Sequence, residues 1–205
     1  MPRRPDKIVL ASSNAGKLKE IVGIISDLDF TVIPQSELGV SDADETGSTF
    51  VENALIKARH AVDATGLPAI ADDSGLCVDA LDGRPGVYTA RFAGPGATDE
   101  QNNDRLLQEL AGVPDERRGA AFRCVACFVM PGDGEPVIGE GEWRGRILRE
   151  RRGDGGFGYD PLFLVPELGV SSAELGAKEK NARSHRGQAL RELSRQLHEL
   201  IWQQN

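Results

Sequence analysis

The chain has 205 residues, of which 40% are hydrophobic and 27% charged, a composition typical of a globular protein rather than a disordered or fibrous one. Its 24 lysines and arginines against 32 aspartates and glutamates give a formal net charge of -8, which argues against a general binder of nucleic acid or anionic membranes, because such proteins need a basic surface. The apolar run Cys124 to Met130 is far shorter than the roughly 18 residues of a transmembrane helix, so no membrane partner is expected.

Hydrophobic periodicity predicts strands and helices that alternate at first, then a strand-rich segment, then a closing helix. The predicted strands are Lys7 to Ala11, Phe30 to Ile33, Ala69 to Asp72, Leu76 to Leu81, Ala120 to Met130, Val137 to about Leu148 and Leu162 to Val165. The first predicted helix carries Leu18, Ile21, Val22 and Ile25 on one face. Two further helices are predicted from Thr49 to about Ala64 and from Thr98 through Leu110, and a closing helix is predicted to start near His185. A tight Asp-Ser-Gly turn is expected at Asp73 to Gly75, between the third and fourth strands. The pattern predicts an α/β chain with a mixed sheet.

Cysteine usage and the amino-terminal segment both bear on location. An odd number of cysteines suits a reducing compartment, and the first residues lack the apolar core of a signal peptide, so we expect a cytoplasmic protein. Cys124 and Cys127 have CxxC spacing but lie within a predicted strand, where side chains three apart point to opposite faces. We therefore interpret them as structural, with a zinc or redox site as the alternative.

The segment Ser12 to Lys17 lies between the first predicted strand and the first predicted helix. Backbone amides and a lysine at a helix amino terminus suit a phosphate group, because unpaired donors and the helix dipole both favour an anion. The segment is not a P-loop, since Ala11 replaces the first glycine of that motif and Leu18 replaces its magnesium-binding hydroxyl. A helix cap followed by a surface lysine explains the segment equally well.

Two adjacent carboxylates, Asp72 and Asp73, end the third predicted strand. If they converge in the predicted turn they repel each other unless a cation neutralises them, which makes Mg²⁺ a natural occupant. Glu45, in the loop before Thr49, would complete an oxygen ligand set, although alone it is typical of a solvated side chain. An ordinary polar turn is the alternative, because such turns also use aspartate and serine.

The glycine-rich run Gly155 to Pro161 places Phe157 and Tyr159 among glycines. Glycine lets a flat ligand reach the backbone while an aromatic ring stacks on it, so this run indicates a nucleobase site. A hairpin loop anchored in the core by an aromatic side chain is the alternative.

The segment Lys178 to Gly187 concentrates basic side chains in an acidic chain. Ser184 is predicted to cap the closing helix, which puts His185 and Arg186 in its first turn, where cations oppose the helix dipole and indicate a ligand. A solvated basic stretch is the alternative. Together, the four segments supply a phosphate loop, a carboxylate site, a stacking ring and a basic patch, the parts needed to bind a magnesium nucleotide.

These motifs resemble those of the Ham1-like non-canonical purine nucleoside triphosphate pyrophosphatases, from about Lys7 to Leu200. The resemblance rests on Ser12-x-Asn14-x-Gly16-Lys17, Glu45-Thr46-Gly47, Thr49-Phe50-Val51-Glu52-Asn53-Ala54-x-x-Lys57-Ala58, Ala71-Asp72-Asp73-Ser74-Gly75-Leu76, Gly83-x-Pro85-Gly86, Tyr88-x-Ala90-Arg91, Gly156-Phe157-Gly158-Tyr159-Asp160-Pro161 and Ser184-His185-Arg186-Gly187-Gln188-Ala189. One departure is Arg151, where the family would have proline before Arg152-Gly153, and it bears on the stiffness of the following loop.

The resemblance implies an α/β fold with an elongated mixed sheet and two lobes around a central nucleotide cleft, in a single domain over residues 1–205. It implies a homodimeric hydrolase that converts ITP, dITP and XTP to the monophosphate and pyrophosphate, a house-cleaning reaction of nucleotide metabolism that removes them from the nucleotide pool. The implied reaction is metal-assisted attack of water at the α-phosphorus with Mg²⁺ as cofactor, and no nucleic-acid partner is implied.

The resemblance also assigns residues to roles. Asp73 would be the catalytic residue that orients or deprotonates the attacking water, and it would bind the metal together with Glu45. The residues implied to bind the triphosphate are Ser12, Ser13, Asn14, Ala15, Gly16, Lys17, Lys57 and Lys180. Ser74 is also implied to bind substrate, and with Asp72 it would support the metal site. The residues implied to bind the base are Phe157, Gly158, Tyr159, Asp160, His185 and Arg186. Donors from His185, Arg186 or backbone amides would pair with the 6-oxo group of the purine, which ATP lacks.

Two alternatives to this function remain. A Maf-like pyrophosphatase would act on other modified or pyrimidine nucleotides with a similar architecture, and the Phe157 loop with His185 and Arg186 argues against it. A nucleotide sensor without turnover would not need a carboxylate at a metal, so the presence of Glu45 and of the Asp72-Asp73 pair argues against that alternative.

Overall fold

The structure of the protein, a computed structural model, describes residues 5–25, 30–132 and 134–202. In these residues the strands are β1 (Lys7–Leu10), β2 (Thr31–Pro34), β3 (Ala69–Val78), β4 (Gly119–Val129), β5 (Val137–Ile147), β6 (Phe163–Val165) and β7 (Val170–Ser171). The α-helices are α1 (Ala15–Ile24), α2 (Phe50–Thr65), α3 (Asp99–Glu109), α4 (Ala177–Arg183) and α5 (His185–Leu197). No helix in these ranges is both long and apolar enough to cross a membrane.

The strands form one sheet in the order β2-β1-β3-β4-β5-β6-β7. β1 runs parallel to β2 and to β3, with Val9 opposite Ala69, whereas β6 runs antiparallel to β5 and to β7. The sheet is therefore mixed, and the predicted α/β class is confirmed. The nucleotide cleft and the single domain over residues 1–205 stay predictions.

The chain divides into two compact units. The first unit comprises the described residues of Met1–Asp73, Cys124–Gly141 and Arg186–Asn205, and the second comprises Ser74–Arg123 and Glu142–His185.

In the first unit, β1 is buried on both faces. Ile8 and Leu10 pack in one cluster with Ile21 of α1 and Leu193 of α5, and Val9 packs in another cluster with Ala58 of α2. A strand covered on both sides is a continuous apolar run, which explains why this strand was predictable from its sequence.

The second unit has its own core, in which Leu76, Phe122, Trp143, Phe163 and Leu106 are buried. The Phe122 and Phe163 ring centroids lie 4.6 Å apart, and Trp143 and Phe163 lie 5.1 Å apart, both with tilted rings. These aromatic pairs pack β4 and β5 onto β6.

The helix ends agree with the predicted capping boxes. The Thr49 side chain accepts a hydrogen bond from the Glu52 amide while the Glu52 carboxylate accepts from the Thr49 amide, and Thr98 and Gln101 do the same at α3. Gly66 ends α2 with φ +67, a left-handed conformation that favours glycine.

Three sequence predictions are corrected by the structure. The turn at Asp73 to Gly75 is wrong, because β3 continues unbroken through these residues to Val78. Val22 is 45% exposed, since it lies about 100° around α1 from the buried Ile21 and points off the packed face. Helix α4 precedes Ser184 inside the segment predicted only as basic, so Ser184 follows one helix and precedes the next.

Candidate active site

The first unit holds the predicted phosphate segment at the start of α1. The Asn14 carboxamide oxygen accepts a hydrogen bond from the Lys17 amide at 3.0 Å, so Asn14 is the amino cap of the helix. Ser12 Oγ accepts from the Asn14 amide at 3.3 Å, and Ala15 and Gly16 form the first turn. The segment thus adopts the helix-cap geometry that favours an anion at its amino end.

Ser13 connects this segment to the loop that carries Glu45. The Ser13 hydroxyl donates to Asp42 Oδ2 at 2.5 Å, and the side-chain nitrogen Nε2 of the buried Gln35 donates to Asp42 Oδ1 at 2.5 Å. The loop after β2 is thereby tied to the start of α1.

Asp72 is the centre of a buried charge cluster. Its Oδ2 lies 3.3 Å from Lys17 Nζ and accepts a hydrogen bond from Arg186 Nε at 3.2 Å, and the Arg186 guanidinium also pairs with Glu20. Burial alone would raise the pKa of Asp72, but the charges of Lys17 and Arg186 outweigh it and hold the pKa of this carboxyl well below its usual range. The surrounding cations therefore favour the charged form of Asp72.

Asp73 faces a different set of partners. Asn53 Nδ2 donates to its Oδ2 at 3.2 Å, and Lys57 Nζ lies 3.3 Å from its Oδ1 and 2.8 Å from Glu45 Oε1. Burial raises the pKa of Asp73, and the charges of Lys57 and Lys17 offset only part of that effect. Asp73 is thus the carboxylate of the pair that accepts a proton more readily.

Helix α2 supplies both partners of Asp73 because Asn53 and Lys57 are four residues apart and share one helix face. The Asn53 carboxamide oxygen accepts a hydrogen bond from the Gly47 amide at 2.8 Å. A Cβ at Gly47 would lie 2.7 Å from that oxygen, so only glycine fits this close approach. The capping box, Gly47 and Asn53 together fix the loop that carries Glu45 against α2.

Glu45 and Asp73 are the residues that could hold a metal. Both carboxylates contact the same ammonium group of Lys57, which shows that they face one centre of positive charge. Residues 5–25, 30–132 and 134–202 contain no group of three or more histidine, cysteine, aspartate and glutamate side chains that could hold a metal. A metal at these two carboxylates would need water or substrate oxygens to complete its coordination.

The glycine loop lies in the second unit and is organised by Asp160. This buried carboxylate accepts hydrogen bonds from the Phe157 amide at 2.9 Å and the Ser172 hydroxyl at 2.8 Å, and Lys180 Nζ lies 2.6 Å from it. A Cβ at Gly156, where φ is +74, would lie 2.0 Å from the Asp160 carboxylate, so glycine is required there.

The aromatic residues of the loop take different positions. Tyr159 is buried and its hydroxyl donates to the Thr89 carbonyl at 2.9 Å, which anchors the loop in the core. Phe157 is only partly buried, and Lys180 Nζ lies 4.8 Å from its ring centroid. Gly158 donates from its amide to an Asp99 carboxylate oxygen at 2.6 Å. The core-anchoring alternative therefore fits Tyr159, whereas Phe157 is only partly buried and its stacking role stays a prediction.

Arg151 and His185 make two further contacts within the second unit. Arg151 donates to the Asp104 carboxylate at 2.8 Å and to the Glu100 carbonyl at 3.0 Å, which ties the residue before the loop to α3. The His185 ring stacks on Phe122 with centroids 4.8 Å apart and an interplanar angle of 12°.

The predicted site residues therefore fall into two groups. The first unit brings together Ser12, Ser13, Asn14, Ala15, Gly16, Lys17, Glu45, Lys57, Asp73 and Arg186, and the second contains Ser74, Phe157, Gly158, Tyr159, Asp160, Lys180 and His185. Lys180, predicted with the triphosphate residues, contacts Asp160 and Phe157 of the glycine loop. Arg186, predicted with the base residues, pairs with Asp72.

Sequence reasoning gave no role to Asn53, Glu20 or Asp42. Asn53 follows the capping-box glutamate, and its spacing of four from Lys57 is a signal that could have been used. Glu20 and Asp42 are ordinary polar residues in the sequence, and their partners Arg186 and Ser13 lie 166 and 29 residues away, so no local pattern points to them.

The cysteine prediction is consistent with the structure. Cys124 and Cys127 are both buried and lie in different apolar clusters, as expected for positions three apart on a strand. Burial raises the pKa of Cys127 to about 12, so this thiol stays protonated at neutral pH.

A sequence model described as the Ham1 family matches residues 8–196. The chain is 58% identical over 195 residues to a dITP/XTP pyrophosphatase of Methylococcus capsulatus, covering 95% of this chain and 97% of that protein. It is 55% identical over 186 residues to a dITP/XTP pyrophosphatase of Pectobacterium atrosepticum, covering 90% and 94%. The structure of a HAM1 protein from Coxiella burnetii matches with a TM-score of 0.87 and 52% identity, covering 94% of this chain and 98% of that one. The chain belongs to the Ham1 family.

Proposed function

We propose that the protein is a nucleoside triphosphate pyrophosphatase that hydrolyses ITP, dITP and XTP to the nucleoside monophosphate and pyrophosphate. The activity named for the relatives, dITP/XTP pyrophosphatase, supports this proposal at 58% and 55% identity over 90% or more of the chain. The structural observation that carries it is the Asp73 carboxylate, held by Asn53 and Lys57 beside Glu45 with a raised pKa.

Asp73 is the proton acceptor in this proposal. A carboxylate whose pKa is raised by burial is a stronger base than an exposed one, and a positioned base contributes typically 10² to 10⁴ in rate. Asn53 and Lys57 fix the orientation of Asp73, so that it can orient the attacking water and take up its proton. No covalent nucleophile is needed for this reaction.

The triphosphate residues of the proposal lie around the start of α1. Lys17 and Lys57 supply positive charge, and the amino end of α1, with Ser12, Ser13, Asn14, Ala15 and Gly16, supplies backbone and side-chain donors. Lysine charges close to the leaving pyrophosphate stabilise the charge that develops on it.

The two carboxylates fit Mg²⁺. Oxygen donors are the ligands this hard cation prefers, and Mg²⁺ commonly binds one or two protein carboxylates with the remaining positions filled by water and substrate phosphates. Glu45 and Asp73 would hold it, with Ser74 next to Asp73 in the chain. When bound, Mg²⁺ neutralises phosphate charge and polarises the phosphoryl group.

For the base we propose that Phe157 provides a stacking face and that His185 and the backbone of Gly158 lie at its edge. Tyr159 and Asp160 support this loop from the core, and Lys180 holds Asp160 and contacts the Phe157 ring. The contact of Arg186 with the base and that of Lys180 with the triphosphate stay predictions, as do the homodimer and the cytoplasmic location.

The test is incubation of the purified protein with Mg²⁺ and, separately, ITP, XTP, dITP, GTP, ATP and dTTP, with pyrophosphate and orthophosphate assayed independently. We expect pyrophosphate from the first three nucleotides, little from the others, and none after removal of the metal with a chelator. A matched reaction of the Asp73→Asn variant controls for contaminating hydrolases.

Three results would contradict the proposal. Orthophosphate as the product would place the attack at the γ-phosphorus, and preference for dTTP would favour a Maf-like activity. Tight binding of ITP without any hydrolysis would instead identify a nucleotide sensor.

A further inference from the structure

An arginine-rich segment crosses the end of β5 in the second unit. Residues 144–152 contain five of the 24 lysines and arginines of this acidic chain, namely Arg144, Arg146, Arg149, Arg151 and Arg152. None of the roles proposed above uses these side chains for substrate.

Three of the five arginines have carboxylate partners. Arg144 pairs with Asp79 at 3.0 Å, Arg149 with Asp115 at 2.7 Å and Arg151 with Asp104 at 2.8 Å. In the part of the chain that the structure describes, Arg146 and Arg152 form no ion pair, and Arg146 donates instead to the Asp115 carbonyl at 2.6 Å.

The two arginines without ion pairs line the same cavity. Its volume is about 430 Å³, and Arg146, Arg149 and Arg152 share its wall with Ile147, Leu148 and Leu164. That volume lies in the range of small-molecule sites, roughly 300 to 1,000 Å³. Asp115 and Glu150 also line the cavity, and Asp115 is already paired with Arg149.

The wall of the cavity is fixed by backbone hydrogen bonds. The Leu148 amide donates to the Leu162 carbonyl at 2.8 Å, and the buried Arg118 donates to the carbonyls of Ile147 and Leu148, each at 2.8 Å. Arg146 pairs with Leu164 across β5 and β6. The cavity is therefore preformed, which lowers the entropic cost of binding.

We propose that this cavity binds a phosphate-bearing anion. A guanidinium group presents donors in a planar fork that matches two phosphate oxygens, and Arg146 and Arg152 supply two such groups without carboxylate partners. The apolar side chains beside them provide room for a base or sugar next to the phosphate. Free pyrophosphate and the phosphate of a nucleotide are two sources of the same chemistry.

The position of the cavity gives the bound anion a defined neighbour. The Arg152 amide donates to the Pro161 carbonyl at 2.9 Å, and the Arg152 carbonyl accepts from the Ser171 hydroxyl at 2.6 Å. Arg152 thus joins the two ends of the loop that carries Phe157, and the anion binds at this junction.

The test is calorimetric titration of the full-length protein with orthophosphate, pyrophosphate and AMP, in the presence of a chelator to prevent turnover. Arg146→Gln/Arg152→Gln is expected to weaken binding about tenfold or more, because two charge-assisted sets of hydrogen bonds are lost. The matched control is Arg144→Gln, which removes a paired arginine of the same segment that does not line the cavity and leaves binding unchanged. Tighter binding of AMP than of pyrophosphate identifies a nucleotide as the ligand of the cavity, and tighter binding of pyrophosphate identifies free pyrophosphate as that ligand.

Two further variants keep the proposal falsifiable. Glu150→Gln removes a negative charge from the cavity wall and is expected to strengthen binding, which a folding defect cannot do. Lys17→Gln alters the proposed triphosphate site and is expected to leave this binding intact. The proposal is overturned if the double arginine variant keeps wild-type affinity for all three anions or if Lys17→Gln abolishes all anion binding. It is also overturned if the double variant changes the oligomeric state, since the arginines would then face a second copy of the chain.

Discussion

Asp72 and Asp73 are neighbours on β3, but their carboxylates have opposite surroundings. Asp72 lies between Lys17 and Arg186, and these charges keep its pKa below the usual range. Asp73 has Lys57 and the neutral Asn53 as contacts, with Glu45 nearby, and burial raises its pKa. Adjacent residues on a strand point to opposite faces, so two carboxylates one residue apart can serve two purposes.

The difference between the two sides lies in how completely the charge is compensated. The buried Asp72 is compensated by two cations and so helps to hold α1 and α5 against β3. On the other side, Asp73 and Glu45 share the contact with Lys57, and the charges of Lys57 and Lys17 offset only part of the effect of burial on Asp73. A carboxylate that is compensated only in part is the one that a metal or a proton would neutralise, and this separates the proposed reactive carboxylate from the structural one.

The largest expected effect is on turnover. Asp73→Asn keeps the shape of the side chain but removes the base and one metal ligand, so we expect kcat for ITP to fall by about 10³ or more. The free energy of unfolding should fall by about 1 to 3 kcal/mol, less than for Asp72→Asn, because Asn53 and Lys57 donate to different carboxylate oxygens and the carboxamide oxygen can accept from only one of them. Steady-state kinetics and urea unfolding measure the two quantities, and retained turnover would contradict the assignment of Asp73.

The reverse pattern is expected for Asp72. Asp72→Asn keeps the pair of the buried Arg186 guanidinium with Glu20 but removes the charge of Asp72, and breaking a buried pair in this way costs about 3 to 5 kcal/mol of stability. Arg186→Met, which leaves Asp72 with Lys17, should be destabilising by a similar mechanism. Urea unfolding tests both variants, and a loss of stability no larger than that of Asp73→Asn would remove the distinction between the two sides.

The pH dependence of stability sharpens the same contrast. Because the pKa of folded Asp72 is lowered, its stabilising contribution is present above its unfolded pKa of about 3.9 and is lost as the pH falls further. The stability deficit of Asp72→Asn should therefore shrink below about pH 4. In the metal-free protein the raised pKa of Asp73 has the opposite effect on stability, because its charged form destabilises the fold at high pH and this cost is lost as the pH falls. Unfolding of wild type and Asp72→Asn between pH 3 and pH 7 checks this, and a deficit that is constant with pH would contradict it.

The smallest expected effect concerns the start of α2, which supplies both Asn53 and Lys57 to Asp73. Thr49→Ala removes the hydrogen bond from the cap to the Glu52 amide and should cost about 1 kcal/mol of unfolding free energy. Thr98→Ala is the matched control, because it removes the same cap from α3 in the second unit. Only Thr49→Ala is expected to raise the Mg²⁺ concentration needed for half-maximal activity. Equal Mg²⁺ concentrations for the two variants would exclude a connection between the cap of α2 and the proposed metal site.

Local patterns predicted much of the fold. Both capping boxes, the buried strand β1 and the cysteine-containing strand β4 follow from residues close together in the sequence. The break in β3 was predicted because Asp-Ser-Gly normally marks an exposed turn. That rule fails here because Lys17, Lys57 and Arg186, each from a distant helix, compensate the two carboxylates inside the protein.

In the candidate site, too, the contacts between residues that are distant in the sequence could not be predicted. The motifs indicated a magnesium nucleotide, and the family resemblance assigned the residues to roles, but neither showed which cation pairs with which carboxylate. Arg186 follows His185 in the chain and was predicted with it at the base, yet its side chain pairs with Asp72. The partners of a long, flexible side chain depend on tertiary packing, which spacing in a sequence does not encode.

Arg151 replaces the proline that the family resemblance leads one to expect before the glycine loop. Proline would restrict that residue through its ring, whatever the solvent. Arg151 restricts it through an ion pair with Asp104 on the protein surface, where dissolved ions screen the attraction. The order of the loop that carries Phe157 therefore depends on ionic strength in this chain, more than in a relative that has the proline.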